Sequence, residues 1–268
     1  MRRAPWVSIT VLSIIIFAAF VGPLWVHHSP YTLGAHAILE APSWEHWMGT
    51  DRLGRDLFVR MLYGGQVSLI IGVGSALLAT LIGLIFGVTA AFLRGKMDLI
   101  FVIVVDLFLT FPTLFLLLAL LSYVHASIVV LVVVIAVTGW MTTARLIRAQ
   151  SFEIASKPYI KIFSLAKLSQ TKLLFKYILP LLMPIVLIAF TFGVSGAILS
   201  ESALSFLGLG IMPPQMSWGL LLSDAQELLD VAWWLSLFPG LAIFAVTYAL
   251  INISDYLQYR ANTKEQAA

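Results

Sequence analysis

Cysteine is absent from the 268 residues, and charged residues are scarce. Without cysteine, the chain cannot be a secreted scaffold held together by disulfides. Asp, Glu, Lys and Arg make up 11% of the sequence, whereas an ordinary soluble domain has about 25%. Hydrophobic residues make up 60%, which excludes intrinsic disorder and exceeds what a soluble protein of this size could bury.

Sequence motifs of several enzyme classes are also missing. The chain has no His-Glu-x-x-His, no Gly-x-Ser-x-Gly and no Gly-x-x-x-x-Gly-Lys-Ser/Thr, so a zinc protease, a hydrolase and an ATP-binding loop are not supported. We therefore expect no catalytic residue, no metal site and no cofactor bound by this chain. The energy for any transport would have to come from elsewhere.

Long runs without Asp, Glu, Lys or Arg dominate the sequence. About 20 apolar residues in a helix cross the hydrocarbon layer of a bilayer, so these runs predict an all-α, polytopic membrane protein with six transmembrane helices. The first could be a signal peptide, but it lacks a small-x-small cleavage site and is interpreted as a retained span. The predicted helices cover residues 7–26, 67–93, 99–124, 127–143, 178–204 and 231–253.

This pattern divides the chain into two parts. Residues 1–66 hold the first transmembrane helix and an outer segment. Residues 67–268 hold a five-helix core with a cytoplasmic loop near 145–176.

Basic residues predict the orientation in the membrane. With the N-terminus inside, six spans place 13 of the 16 Lys and Arg residues in the cytoplasm, as expected for cytoplasmic loops. Both termini are then cytoplasmic, and Arg52, Arg55 and Arg60 lie outside. The net charge of +3 is thus an insertion signal, and nucleic acid is not an expected partner.

The loop at 145–176 is basic but not purely polar. It has seven basic residues and one acidic residue, and its apolar positions favour short amphipathic helices on the cytoplasmic face. Such helices could rest on anionic lipid of the bilayer or form a docking surface for a cytoplasmic partner. Both interpretations stay open at this point.

Small residues recur every four positions in the second predicted helix. Ser75, Ala79, Gly83 and Gly87 form one stripe. A small-residue stripe lets two helix backbones approach closely within a membrane. We therefore expect a tight helix contact here.

Two acidic residues interrupt apolar helices, and each is costly in lipid unless it faces protein or water. Asp106 shares a predicted helix face with Thr110 and Thr113, and Pro112 should kink that helix. Glu201 continues a small-residue stripe formed by Ala189, Gly193 and Ala197, so it should point into a helix contact.

The polar residues Asp106, Thr110, Thr113 and Glu201 are candidates for a pathway or gate, although a structural role is equally open.

Two longer motifs resemble a known family. The run Gly49-Thr50-Asp51-Arg52-Leu53-Gly54-Arg55-Asp56 resembles the Gly-Thr-Asp-x-x-Gly-Arg-Asp signature of inner-membrane permeases of peptide and nickel ABC importers. Its matching positions are Gly49, Thr50, Asp51, Gly54, Arg55 and Asp56. The run Ser205-Phe206-Leu207-Gly208-Leu209-Gly210, followed by Ser217-Trp218-Gly219, is similar to the second signature of that family.

The resemblance implies a permease of the ABC importer type I class with six spans. Such a permease works with a second homologous permease, two cytoplasmic ATPase subunits that bind ATP, and an extracytoplasmic solute-binding protein. The binding protein would dock on the loops around residues 50–63 and 213–230.

The family's ATPase-coupling loop would fall at residues 159–180. The chain departs from the family there, because Lys161-Ile162-Phe163 replaces the usual Glu-Ala-Ala and Lys167 replaces Gly. The loop is therefore more basic, and its ATPase should present a more acidic or apolar cleft. The coupling candidates are Tyr159, Lys161, Ile162, Phe163, Lys167 and Leu168.

Three functional interpretations follow from these observations. The first is a permease subunit that imports peptides or nickel and other metal chelates across the bacterial inner membrane. The second is an ion-coupled secondary transporter that uses Asp106 and Glu201. The third is a structural membrane scaffold, in which neutralising both acids would leave transport intact.

Overall fold

The structure is a computed structural model that describes residues 4–26, 29–34, 36–158 and 170–266. These residues form a helical bundle, and the only strand-like pairing among them is the isolated bridge between Thr50 and Asp56. A helical turn at Gln170–Leu173 and a π-helical turn at Leu174–Ile178 precede α6, and a 3-10 turn lies at Gln226–Leu228. The helices are α1 (Trp6–Trp25), α2 (Leu57–Leu93), α3 (Gly95–Leu109), α4 (Thr113–Leu121), α5 (Ile128–Ser156), α6 (Leu179–Phe206), α7 (Trp218–Asp224) and α8 (Trp234–Gln266).

Five of the six predicted spans are continuous helices long and apolar enough to cross a membrane. The first agrees with the prediction to within one residue at each end. The second starts at Leu57 rather than at residue 67, because the Asp56 side chain accepts a hydrogen bond from the Val59 amide and caps the helix. The last begins at Trp234 and continues beyond residue 253 to Gln266. The predicted division of the chain after residue 66 falls within α2 and stays a prediction.

The third predicted span is not one helix. It is broken between α3 and α4, whose axes differ by 81°. Pro112 lacks an amide hydrogen, and the residue before a proline is driven out of helical geometry. The expected kink is therefore a complete break, and Thr113 begins a new helix instead of sharing a helix face with Asp106.

The direction of α5 relative to α2 shows which way the broken helix pair, α3 and α4, runs along the bundle. A Cβ atom on Gly74 would meet Val132, and one on Gly87 would meet the Arg148 amide nitrogen, so α2 and α5 run parallel. Residues 95–127 must return the chain to the end of the bundle where α2 begins. The α3–α4 pair therefore leads the chain back along the bundle, and the start of α1 and the end of α8 lie at the same end of the bundle.

The small-residue stripe of α2 forms the predicted helix contact. A Cβ atom on Gly83 would lie 2.8 Å from Thr143, and one on Gly87 would lie 2.6 Å from the Ala144 carbonyl oxygen. Ser75 has no exposed surface, and Ala79 is buried. The prediction of close backbone approach is confirmed, and the partner is α5.

The fourth span is longer than predicted. Helix α5 continues past residue 143 to Ser156, so residues 145–156 of the expected loop are helical. Ile147 and Ile154 are buried in a cluster with Leu182 of α6, and this burial stabilises the extension. The coupling candidates Tyr159, Lys161, Ile162, Phe163, Lys167 and Leu168 lie outside the described residues.

The bundle has two ends, the signature end and the terminal end. The signature end contains residues 29–34, 36–56 and 207–233, between the helices that begin or finish there. The terminal end contains the start of α1 and the ends of α2, α5 and α8.

Candidate functional site

The first signature folds into a loop around Asp51 at the signature end. Asp51 Oδ1 accepts hydrogen bonds from the amides of Leu53, at 2.8 Å, and Arg55, at 3.0 Å. Its Oδ2 accepts from Arg55 Nε at 2.7 Å and from Arg60 Nη1 at 2.6 Å. Asp51 is only 4% exposed, so one buried carboxylate organises the loop and pairs with two arginines.

The two signature glycines are required by backbone geometry. Gly49 and Gly54 have φ angles of +77° and +65°, in the region that favours glycine. A Cβ atom on Gly49 would lie 2.6 Å from the Glu40 carbonyl oxygen, and one on Gly54 would lie 2.4 Å from that of His36. The segment 36–40 therefore packs directly against the loop backbone.

Thr50 and Asp56 fasten the loop to the preceding segment. Thr50 Oγ1 donates to the Ala37 carbonyl oxygen at 2.6 Å and accepts from the Glu40 amide at 2.8 Å. Asp56 Oδ2 lies 2.8 Å from His46 Nδ1, while its other oxygen caps α2. Each polar side chain in the signature thus has a specific partner.

Arg60 and Trp234 join this loop to later parts of the chain. Arg60 Nη2 lies 3.5 Å from Asp224 Oδ2, at the end of α7. Trp234 Nε1 donates to the Thr50 carbonyl oxygen at 3.2 Å. The signature loop, α7 and the start of α8 are therefore connected to one another at the signature end.

A second polar cluster lies inside the bundle around Glu201. Ser205 Oγ donates to Glu201 Oε1 at 2.7 Å, and Ser68 Oγ of α2 donates to Oε2 at 3.2 Å. Ser68 Oγ also accepts from the Trp218 amide at 3.1 Å. Glu201 has no exposed surface, so it faces a helix contact as predicted.

The second signature allows α7 to approach α6 closely. A Cβ atom on Gly219 would lie 2.6 Å from Ser202 Cα, and one on Gly210 would overlap Ser205. Ser217 caps α7 by accepting from the Leu220 amide at 3.1 Å. The motif therefore places the Trp218 amide against Ser68 and completes the Glu201 cluster.

The third polar cluster joins α3 to α5. Arg148 binds Asp98 through two hydrogen bonds, Nε to Oδ1 at 2.5 Å and Nη2 to Oδ2 at 2.7 Å. Arg145 pairs with Asp106. The Asp106 and Arg145 side chains are 52% and 55% exposed, although both lie in apolar helices.

The remaining predicted pathway residues do not gather with these acids. Thr110 donates its hydroxyl hydrogen to the Leu107 carbonyl oxygen at 2.5 Å and ends α3. Thr113 is exposed beyond the break. Asp106 and Glu201 belong to separate clusters with different partners. Among the residues that the structure describes, no group of three His, Asp or Glu side chains could hold a metal ion.

Three members of these polar clusters were not found from the sequence: Ser68, Asp98 and the pairing of Arg60 with Asp224. Ser68 and Gly72 extend the stripe of small residues by two turns, a signal that the sequence contains. Asp98 lies beside basic residues at a predicted helix end and resembles an ordinary solvated acid. The Arg60–Asp224 pair spans 164 positions, which no local pattern indicates.

The chain is similar to several known proteins over nearly its whole length. It is 37% identical over 259 residues to a protein of Brucella suis biovar 1 whose name describes a peptide permease, and the match covers 96% of this chain and 86% of the relative. It is 34% identical to the dipeptide transport system permease protein DppC of Bacillus subtilis, over 92% of this chain and 78% of the relative. The oligopeptide transport system permease protein OppC of the same organism is 32% identical, over 96% and 84%.

Residues 60–264 match the family described as the binding-protein-dependent transport system inner membrane component. This range includes nearly all of α2, the whole of α3 to α7, and nearly all of α8. Together with the coverage of the relatives, the match shows that this chain belongs to the family of inner-membrane permease components of binding-protein-dependent transport systems.

Proposed function

We propose that this chain is the permease subunit of an ATP-driven ABC importer that moves peptides across the bacterial inner membrane. The observation that carries the proposal is the similarity of nearly the entire chain to relatives named as peptide, dipeptide and oligopeptide permeases. Permeases are components of transporters and not enzymes. ATP would be bound and hydrolysed on partner subunits.

The proposed orientation places both termini and the terminal end in the cytoplasm. The concentration of Lys and Arg near that end supports it, as does the even number of crossings when α3 and α4 count as one. The signature end would then face the outside. The exposed surface above the contacts of Asp51, Arg60 and Asp224 would receive the extracytoplasmic solute-binding protein.

The proposed complex contains a second homologous permease and two cytoplasmic ATPases. The ATPases would contact the segment that follows α5, where the coupling candidates lie. The second permease would cover part of the bundle's apolar surface and complete a central pathway. Alternating access would follow when ATP binding and hydrolysis shift the permease pair between two states.

The two acids would have different roles in transport. Asp106 would lie beside the pathway and hold α3 to α5 through Arg145, because a half-exposed carboxylate in an apolar helix is favourable only beside protein or water. Glu201 would hold α2, α6 and α7 together, because it is enclosed by hydroxyl partners.

Transport by a reconstituted complex tests this function. The chain, its second permease and both ATPases would be placed in proteoliposomes with the solute-binding protein in the compartment facing the signature end. We expect accumulation of labelled dipeptides and oligopeptides that requires ATP and the binding protein. Accumulation of nickel chelates without peptides would replace the proposed substrate, and uptake driven by a proton gradient without ATP would contradict the mechanism.

A further inference from the structure

Helix α3 is attached to the bundle by very little apolar packing. Val105 is its only buried residue, although the helix has 15 residues. Many large apolar side chains on α3 are exposed instead: Met97, Leu99, Ile100, Ile103, Val104, Leu107 and Phe108. Apolar burial therefore does not determine the position of α3 relative to the rest of this chain.

The backbone changes direction at both ends of α3. Arg94 and Gly95 have φ angles of +50° and +59° at its start. The 81° break at residues 110–112 follows its end. Short segments of this kind absorb the dihedral changes of hinge motions, so α3 has the geometry of an arm between two hinges.

Two ion pairs connect this arm to α5. Both members of the Asp98–Arg148 pair are about one-fifth exposed, and the guanidinium forms two hydrogen bonds, which fixes its orientation. The Arg148 guanidinium carbon also lies 4.9 Å from the centre of the Phe152 ring. Eight residues along α3, Asp106 pairs with Arg145, so the arm is held at two points.

The arginines lie on a part of α5 that is rigidly packed. The close contacts of Gly83 and Gly87 with residues 143–148 fix α5 against α2. From Arg148, α5 continues to Ser156, and the segment with the coupling candidates follows it in the sequence. A displacement of that segment would therefore move α5, and the two ion pairs would carry the displacement to α3.

We propose that Asp98, Asp106, Arg145 and Arg148 are positioning residues that couple the ATPase-facing segment to movement of α3 and α4. This inference rests on the proposed ATP-driven function. Neutralising a pair would leave the ATPases able to hydrolyse ATP but would release the arm. Peptide transported per ATP hydrolysed is therefore the quantity that should change.

The test uses the complete complex in proteoliposomes with the solute-binding protein, and the wild-type complex must first show ATP-dependent peptide uptake. Asp98→Asn and Arg148→Gln should each lower peptide transported per ATP by about fivefold or more. The double variant D98R/R148D should recover most of the loss. Lys96→Gln is the matched control, because Lys96 is exposed on the same helix and belongs to neither pair.

The exposed ion pair between Asp106 and Arg145 provides a second test that does not depend on a buried charge. Because the chain has no cysteine, the two thiols introduced by D106C/R145C would be the only ones in this chain. The variant should be uncoupled, and a bifunctional thiol cross-linker should restore the wild-type ratio by tying α3 to α5 again.

Three results would overturn the inference while leaving peptide import intact. They are an unchanged ratio in Asp98→Asn and Arg148→Gln, a lack of recovery in the charge-exchanged variant, and a lack of recovery after cross-linking. If the wild-type complex does not import peptides, that result contradicts the proposed function and not the role of the ion pairs alone.

Discussion

Ser68 of α2 and Glu201 of α6 form a hydrogen bond of 3.2 Å inside the bundle. The same serine oxygen accepts a hydrogen bond from the Trp218 amide, so three helices meet at one hydroxyl. Because Glu201 has no contact with the bulk solvent, its hydrogen bonds with Ser68 and Ser205 compensate for its burial. This cluster therefore connects the membrane-spanning helices with the surface at the signature end.

Glu201→Leu should destabilise the chain by about 1–3 kcal/mol, because Ser68 and Ser205 would lose their buried acceptor. Unfolding by denaturant in detergent would measure the change. Ser122→Ala is the control, because its hydroxyl is exposed and bonds only within its own helix. A stability equal to that of the control variant would contradict the assigned role of the cluster.

Asp51→Ala should lower stability by about 3 kcal/mol, because it leaves Arg60 buried with only the longer contact to Asp224. The same unfolding measurement applies. Arg52→Gln removes a 3.9 Å pair with Asp224 in which the arginine is half exposed, and it should cost at most about 1 kcal/mol. Equal losses in the two variants would show that Asp51 does not organise the loop.

Gly54→Ala should be much more damaging than Gly34→Ala. Both glycines have positive φ angles, of +65° and +63°, but only a Cβ atom at position 54 would collide with backbone. Gly34→Ala should cost about 1–2 kcal/mol from backbone strain alone. Gly54→Ala should cost more because the segment at His36 must also shift. Thermal unfolding of the two variants compares them, and similar melting temperatures would argue against the close packing.

Gly87→Ala should weaken the contact between α2 and α5. The added methyl group would meet the Ala144 carbonyl oxygen and the Arg148 amide, and overpacking of this kind costs about 1–3 kcal/mol. Gly139→Ala is the matched control, because it makes the same substitution in the interior of a helix, α5. Its methyl group would meet nothing within 4 Å. We expect a lower melting temperature only for Gly87→Ala, and the reverse order would exclude the proposed contact.

Composition and hydrophobic runs predict most of the helical architecture. The spans at α1, α2, α5, α6 and α8 follow from apolar length, and the stripe ending at Gly87 predicts a close helix contact. The boundaries are less predictable, because caps and tertiary packing determine them. Asp56 extends α2 toward the signature end, and burial of Ile147 and Ile154 extends α5.

The break at Pro112 shows a different limit of sequence reasoning. A proline within an apolar run is compatible with a kink or with two separate helices, and the pattern predicts only a disturbance. The choice depends on how residues 95–127 return to the start of α5. The pairing of Asp98 with Arg148 follows from that return path, since the two residues are 50 positions apart.

The candidate sites are also only partly predictable, because many of their contacts join residues that are far apart in the sequence. The signature residues and Glu201 stand out locally, because they form a motif or interrupt an apolar helix. Their partners, Ala37, Ser68, Asp224 and Trp234, come from distant parts of the chain. Only the folded arrangement distinguishes the half-exposed Asp106 from the enclosed Glu201.

ATP hydrolysis by the complete complex in lipid nanodiscs tests the central claim most directly. The rate would be measured with peptide-loaded solute-binding protein, with unloaded binding protein, and with neither. If this chain is the permease of an ATP-driven peptide importer, the loaded binding protein should raise the rate above both other conditions. A rate that is the same in all three conditions would contradict the account.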